Sequence, residues 1–186
     1  MLKTSHKRSA RALFPRYALA ALVALGLACG QVAHAQDASR ANAVVQALLD
    51  GAPRHVPKGY SGVKATRVTL NDDDRRAAMV AGVQVALEGG DPKGAIRYGV
   101  FASEKEAEAF TSYLNQRLPQ GSALIFLQYL PRANCANVPN GGLCSLAVGN
   151  VVIVATASQV DRGASLVLLT AKEAAEAATR PSTPPR

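Results

Sequence analysis

The first 35 residues most constrain what this chain can fold into, because they have the three parts of a secretory leader. Five basic residues and no acid precede or enter an apolar run of 12 residues, 17–28. Ala33-His34-Ala35 then gives the small-x-small pattern that a signal peptidase accepts. A helix of that length spans about 18 Å, well below the roughly 30 Å of a bilayer core, so a permanent anchor is the weaker interpretation. We therefore expect cleavage after Ala35, a periplasmic or secreted protein, and no transmembrane span after cleavage.

The cysteine at the end of the apolar run provides an alternative signal. Ala28 precedes Cys29, as a lipid-attachment signal requires, but Gly26 stands where such signals carry an aliphatic residue. A lipoprotein attached through Cys29 is therefore the second interpretation, and cleavage after Ala35 is the preferred one.

Loss of the leader changes the charge of the protein. The whole chain has 21 basic and 13 acidic residues and a net charge of +8, but five of the basic residues precede residue 36. The remaining chain carries 16 basic against 13 acidic residues, and this small excess does not favour nucleic acid as a partner. About 151 residues remain, which is the length of one ordinary domain.

Two cysteines, Cys135 and Cys144, remain after the leader. In an oxidising compartment, an even pair this close in sequence predicts a disulfide. Their spacing differs from the C-x-x-C motif of redox-active pairs, so a structural bridge is favoured over a redox or metal site. Closing a loop of this size stabilises a protein by about 2.5–3 kcal/mol on the chain-entropy account.

The order of patterns after the leader divides the chain into three further parts. Residues 36–62 combine an amphipathic helix over 39–50 with a Pro/Gly-rich linker arm. Residues 63–178 carry alternating strand and helix patterns and form the domain. Residues 179–186 are rich in proline and are expected to form a disordered tail.

Hairpins dominate the predicted domain. Runs typical of strands are separated by turns, and the pattern Ser103-x-x-Glu106 is a capping box at the start of a helix that ends before Pro119. A short apolar run at 123–130 predicts a buried strand. The order indicates an α+β fold with a single, mostly antiparallel sheet and helices packed on one face. The C-terminal half, residues 95–178, fits much of a ferredoxin-like unit.

Few residues after the leader suit catalysis. His55 is the one histidine that remains, so a metal site built from several histidines is not expected. Asp72, Asp73 and Asp74 form a dense acidic group, but it lacks the ligand order of an EF-hand, and it also suits the cap of a helical turn after Asn71. We expect no metal and no cofactor. A small periplasmic hydrolase or lyase that uses His55 or the Asp72–Asp74 group is kept as an alternative function.

One segment has a local resemblance. Residues 98–103 (YGVFAS), followed by a helix that contains Ala107 and Ala109, resemble the first half of a sporulation-related (SPOR) repeat, a peptidoglycan-binding module of the cell envelope. The resemblance covers about 20 of the 186 residues. A second half would carry a V-G-x-F-like element, whereas this chain continues from residues 147–149 (AVG) into 150–152 (NVV). The resemblance therefore implies a strand that enters a capped helix, and no family.

These observations favour a non-enzymatic, exported binding or envelope-assembly domain. Its partner would be an envelope protein or a cell-wall polymer. We expect the binding surface to be the sheet face that helices leave uncovered, together with the loop between Cys135 and Cys144, in which Asn137 and Asn140 are candidate contact residues. A cell-wall-associated structural protein, tethered by its Pro-rich tail, is the remaining alternative.

Overall fold

The computed structural model describes residues 38–90 and 93–180. The predicted leader, Cys29 and the tail from residue 181 lie outside these residues, so those predictions stay predictions. The elements follow in the order α1 (38–51), a 3-10 turn (Ala52–Arg54), β1 (Gly62–Arg67), α2 (Asp72–Arg76), β2 (Met79–Glu88), β3 (Ala95–Phe101), α3 (Glu104–Gln116), β4 (Ala123–Ile125), β5 (Asn134–Val138), β6 (Gly141–Val148), β7 (Val151–Ala157), a π turn (Val160–Ala164) and α4 (Ser165–Thr179).

The seven strands form one antiparallel sheet with the order β1-β2-β3-β7-β6-β5-β4. Two-residue turns join β5 to β6 and β6 to β7, and the second of them has Gly149 at a φ of 54°. A glycine with positive φ at the first central position is typical of the tight turns that match strand twist. The predicted α+β class with a single antiparallel sheet is confirmed.

Helices cover both faces of this sheet, which corrects the expectation that they pack on one face. Successive residues of β7 divide between two hydrophobic clusters: Val151 and Ile153 pack with α1 and α4, whereas Val152 packs with Ala107 of α3. Because neighbouring residues of a strand point to opposite faces, α3 lies on the face opposite α1 and α4. The apolar stripe of α3 needs a surface of its own, since α1 and α4 already occupy the first face.

The strand order also corrects the ferredoxin-like expectation for the C-terminal half. In that unit, two strands joined by a helix flank one intervening strand. Here α3 connects β3 to β4, and three strands, β7, β6 and β5, lie between them. The tight turns that make β5, β6 and β7 a meander place all three strands inside the crossover.

Helix α1 is part of the main core. Its buried side chains share one hydrophobic cluster with the sheet and α4; they are Ala41, Val44, Val45 and Leu48. Arg67 of β1 also donates a hydrogen bond from Nη1 to Asn42 Oδ1 over 2.8 Å. Burial of an aliphatic side chain of this size contributes about 1.5–3 kcal/mol, so α1 is held by packing more than by the exposed hydrogen bond.

The predicted capping box of α3 is present. Ser103 Oγ accepts a hydrogen bond from the Glu106 amide over 3.3 Å, and Glu106 Oε2 accepts one from the Ser103 amide over 3.0 Å. Two otherwise unpaired backbone groups are thereby satisfied, so this part of the sequence specifies where the helix begins.

The run at 123–130 differs from its prediction as a buried strand. Only Ala123–Ile125 pairs with β5, and Leu124 and Phe126 are 71% and 74% exposed. Two consecutive turns follow, with the Leu130 amide bonded to the Leu127 carbonyl and the Ala133 amide to the Leu130 carbonyl, and they bury Leu127 and Leu130 in the main core. Apolar composition alone did not distinguish an edge strand from an internal one.

Tyr98 is buried between β3 and α4, where Tyr98 Oη donates a hydrogen bond to the Ala171 carbonyl over 3.4 Å. Burial raises the pKa of the phenol well above its ordinary value of about 10. The unfolded chain therefore loses this proton at a lower pH than the folded chain does. The contribution is fully present below pH ~10 and is lost as pH rises above that value, at up to about 1.4 kcal/mol per pH unit.

We expect Tyr98→Phe to flatten this alkaline loss of stability. At neutral pH the variant should lose only the hydrogen bond, which is worth about 0.5–1.5 kcal/mol. Urea unfolding measured between pH 7 and pH 11 would check it, with the exposed Tyr129→Phe as the matched control. Parallel pH profiles for Tyr98→Phe and the unaltered protein would contradict the prediction.

Candidate functional site

The cysteine pair forms the predicted disulfide. Cys135 of β5 and Cys144 of β6 lie directly opposite each other, and both are buried. The segment between them is a β-hairpin rather than the predicted loop, because residues on both sides of the Pro139-Asn140 turn pair in register. The bridge therefore cross-links two strands within the sheet.

The two asparagines of the predicted binding surface lie near the tip of this hairpin. Asn137 is exposed on β5 opposite Gly142, and Asn140 is exposed in the turn. A side chain at Gly142 would come within 2.5 Å of the Val160 amide nitrogen, so the hairpin packs tightly against the π turn. Asn137 and Asn140 thus stand on a rigid hairpin, and their role in binding stays a prediction.

His55 has a local structural partner. Its Nδ1 lies 3.0 Å from the carbonyl oxygen of Gly51, at the end of α1, and the side chain is half-buried. With a carbonyl as acceptor, Nδ1 carries the proton and the ring closes the helix end. The geometry gives His55 a capping role and brings none of the Asp72–Asp74 carboxylates to it.

The acidic group caps α2, as the sequence allowed. Asn71 Oδ1 accepts from the Asp74 amide over 2.8 Å, and Asp74 Oδ2 accepts from the Asn71 amide over 3.1 Å. Asp74 Oδ1 also pairs with Arg97 Nη2 over 2.6 Å. Asp72 and Asp73 form exposed ion pairs with Arg75 and Arg76, which contribute little. Among the described residues, no group of three or more His, Cys, Asp or Glu is arranged to hold a metal ion.

A groove of about 660 Å³ lies between α3 and the free end of β6. We call it the α3–β6 groove. One wall is α3, another is the turn segment 129–133, and the floor is the end of β6, with α4 beyond it. Its lining residues are Glu104, Glu108, Thr111, Ser112, Tyr129, Leu130, Pro131, Arg132, Ala133, Leu146, Ala147, Val148, Gly149, Lys172 and Glu176.

The floor of the groove carries an open strand edge. β6 is longer than β5, and their pairing begins at Asn134 opposite Ser145, so residues 146–148 have no β5 partner. The two-residue turn makes Val148 and Val151 a hydrogen-bonded pair, and bonding alternates along an antiparallel strand. Ala147 therefore directs its N–H and C=O away from β7 and toward the groove.

Charged side chains surround this edge. Lys172 and Glu176 form an ion pair on α4. Within residues 38–90 and 93–180, Glu104, Glu108 and Arg132 make no ion pair, so the groove presents two carboxylates and one guanidinium to a ligand. Tyr129 adds an aromatic side chain that is 54% exposed.

This groove is not predicted by the sequence patterns. Its signal in the sequence is weak: Pro131 interrupts the segment before β5, and a proline there prevents the chain from continuing as a regular strand beside β6. The unequal lengths of β5 and β6 follow from that interruption, but only the observed register shows it.

No family model matches the chain, and a search of curated proteins finds no match. Among the helices of the described residues, none is both long and apolar enough to cross a bilayer.

Proposed function

We propose that this protein is an exported, non-enzymatic binding domain that takes an extended polypeptide segment in the α3–β6 groove. The observation that carries the proposal is the open edge of β6 at Ala147, which lies inside a concave surface instead of on a flat one. Main-chain groups at a strand edge give affinity to an added segment, and side chains around the edge give it selectivity.

The charges in the groove indicate which segment fits. Glu104 and Glu108 lie on one wall, and Arg132 lies on the other. A short extended segment with a basic residue facing α3 and an acidic or polar residue facing Arg132 would match both walls. Tyr129 would contact an apolar or aromatic side chain between them. The ligand class is therefore a segment of an envelope protein and not a glycan chain, which has no amide ladder to pair with Ala147.

The roles of the alternative residues support binding over catalysis. His55 closes the end of α1, and the Asp72–Asp74 group caps α2 and pairs with arginines. Export is part of the same proposal: the bridge between Cys135 and Cys144 suits an oxidising compartment, and the predicted leader provides the route.

A peptide-library selection against the purified protein, followed by titration of the selected peptides, tests this function. Glu108→Lys and Arg132→Glu should each weaken binding about tenfold or more, because each reverses a charge that faces the ligand. Glu173→Lys makes the same change on an exposed residue of α4 outside the groove and should leave affinity unchanged.

The hairpin tip provides the competing surface in the same experiment. If Asn137→Ala with Asn140→Ala weakened the selected peptides while both groove variants bound normally, the binding surface would be the hairpin and the groove proposal would fail. Equal affinity of Glu108→Lys, Arg132→Glu and the unaltered protein would also contradict it.

A further inference from the structure

The strand β4 forms one edge of the sheet, at the opposite end from β1. β4 pairs with β5 at Ala123 opposite Asn137 and Ile125 opposite Cys135. The Pro139-Asn140 turn makes Val138 and Gly141 a hydrogen-bonded pair, so by alternation Cys135 and Asn137 bond to β4. Leu124 therefore directs its N–H and C=O to the open side of the sheet.

The side chains at this edge are the most exposed large apolar ones among the described residues. Leu124 is 71% exposed and Phe126 is 74% exposed. Their exposure alternates with the partial burial of Ile125 and the burial of Leu127, so the two side chains stand on the same side of the chain. An exposed apolar pair next to unpaired backbone groups is the pattern of a strand that accepts another strand.

The two edge strands of the sheet, β1 and β4, differ in charge. β1, at the opposite edge, carries Lys64 and Arg67, and charged residues of this kind discourage added strands. Between Arg117 and Arg132 the sequence has no charged residue. The β4 edge thus lacks the charges that discourage an added strand, and it also offers no charge with which a charged partner segment could pair.

We propose that β4 pairs antiparallel with β4 of a second copy of this chain, around a two-fold axis at Ile125. A two-fold interface places the same surface of each copy against the other, so a neutral strand meets a neutral strand without like-charge repulsion. With the axis at Ile125, Leu124 lies opposite Phe126 of the second copy. The same aliphatic–aromatic contact forms twice, and the unpaired groups of Leu124 gain partners.

Sedimentation velocity of the purified protein over about a hundredfold range of concentration tests the pairing, since mass action makes the dimer population concentration-dependent. The mass should rise from one chain to two. Leu124→Lys and Phe126→Lys should remain single chains throughout and keep their circular dichroism, because both sites are exposed. Leu166→Lys changes an exposed apolar residue on α4 and should dimerise normally.

Cysteine cross-linking tests the register. A mixture of Leu124→Cys and Phe126→Cys proteins should form a covalent mixed dimer on mild oxidation, since residues directly opposite lie within disulfide reach. Either variant alone should cross-link at least tenfold less, because like positions lie diagonally across the axis. A protein that stays single at every concentration, or equal cross-linking of each variant with itself, would overturn the proposal. So would a single chain that binds uncharged lipid vesicles through Leu124 and Phe126.

This inference does not depend on the proposed function. Leu124→Lys should bind the selected groove peptides as the unaltered protein does, so loss of dimer and loss of peptide binding are separate results.

Discussion

Phe101→Ala is expected to lower the free energy of unfolding by about 3–5 kcal/mol, the usual range for removing a fully buried aromatic side chain. Phe101 has no exposed surface and belongs to the small cluster that holds α3 on the sheet. Its ring centroid lies 5.1 Å from that of Phe110, a distance at which aromatic pairs add about 0.5–1.5 kcal/mol beyond burial. Urea unfolding followed by circular dichroism would measure the loss.

The expected loss is large because the cluster is small. Among the described residues, Met79, Ala107 and Val152 are the buried members that share this cluster with Phe101, and its other apolar neighbours are only partly buried. Few buried side chains can therefore move into the space left by the ring. The Phe101 amide donates to the Asn150 carbonyl, and Asn150 Nδ2 donates to the Phe101 carbonyl. Both bonds survive the substitution and keep the end of β3 in place.

Tyr113→Ala is the matched control. Tyr113 stacks against Phe110 at 6.1 Å between centroids but is 46% exposed, so its loss should cost about 1 kcal/mol or less. If Phe101→Ala cost no more than Tyr113→Ala, α3 would not depend on this cluster. The wall of the α3–β6 groove would then need another explanation.

The sequence predicted the elements whose signals are local. The Ser103 and Glu106 capping box and the end of α3 before Pro119 follow from side chains and backbone within a few residues of each other. Local hydrogen bonds act in the same way whatever the tertiary context, so these predictions transferred to the structure.

Features that depend on which strands become neighbours were not predictable in the same way. The apolar stripe of α3 specifies that the helix packs on something, but not on which face of the sheet. The run at 123–130 has the composition of an internal strand, yet it lies at the edge because β5, β6 and β7 fill the crossover. The groove, in turn, exists because β6 extends beyond β5. The pairing of strands distant in sequence therefore determines where the groove lies, whereas local sequence signals determine the helix and the turns that form its walls.

Removing the disulfide should have the second large effect, a loss of about 2.5–3 kcal/mol for a bridge with a sequence separation of 9. We expect this loss in the Cys135→Ala, Cys144→Ala double variant and in the unaltered protein treated with a reductant. Alanine is the suitable replacement because both positions are buried, where a serine hydroxyl would need a partner. Urea unfolding with and without the reductant measures both.

Comparing the reduced protein with the double alanine variant distinguishes the stabilisation by the cross-link from the stabilisation by packing of the sulfur atoms. Reduction keeps both sulfurs in the core, whereas the double alanine variant removes them, so the variant should lose somewhat more. The reductant should leave the variant's stability unchanged, which makes the variant its own control.

A loss below about 1 kcal/mol would show that the unfolded chain already holds this hairpin closed, since the bridge acts mainly by restricting the unfolded state. If the protein is exported, as we propose, we expect the larger loss of stability on reduction. A domain that loses about 2.5–3 kcal/mol on reduction gives up a large fraction of the 5–15 kcal/mol that stabilises an ordinary domain. It would then be fully stable only where the bond between Cys135 and Cys144 persists, and that condition is met in the oxidising compartment to which the predicted leader would direct it.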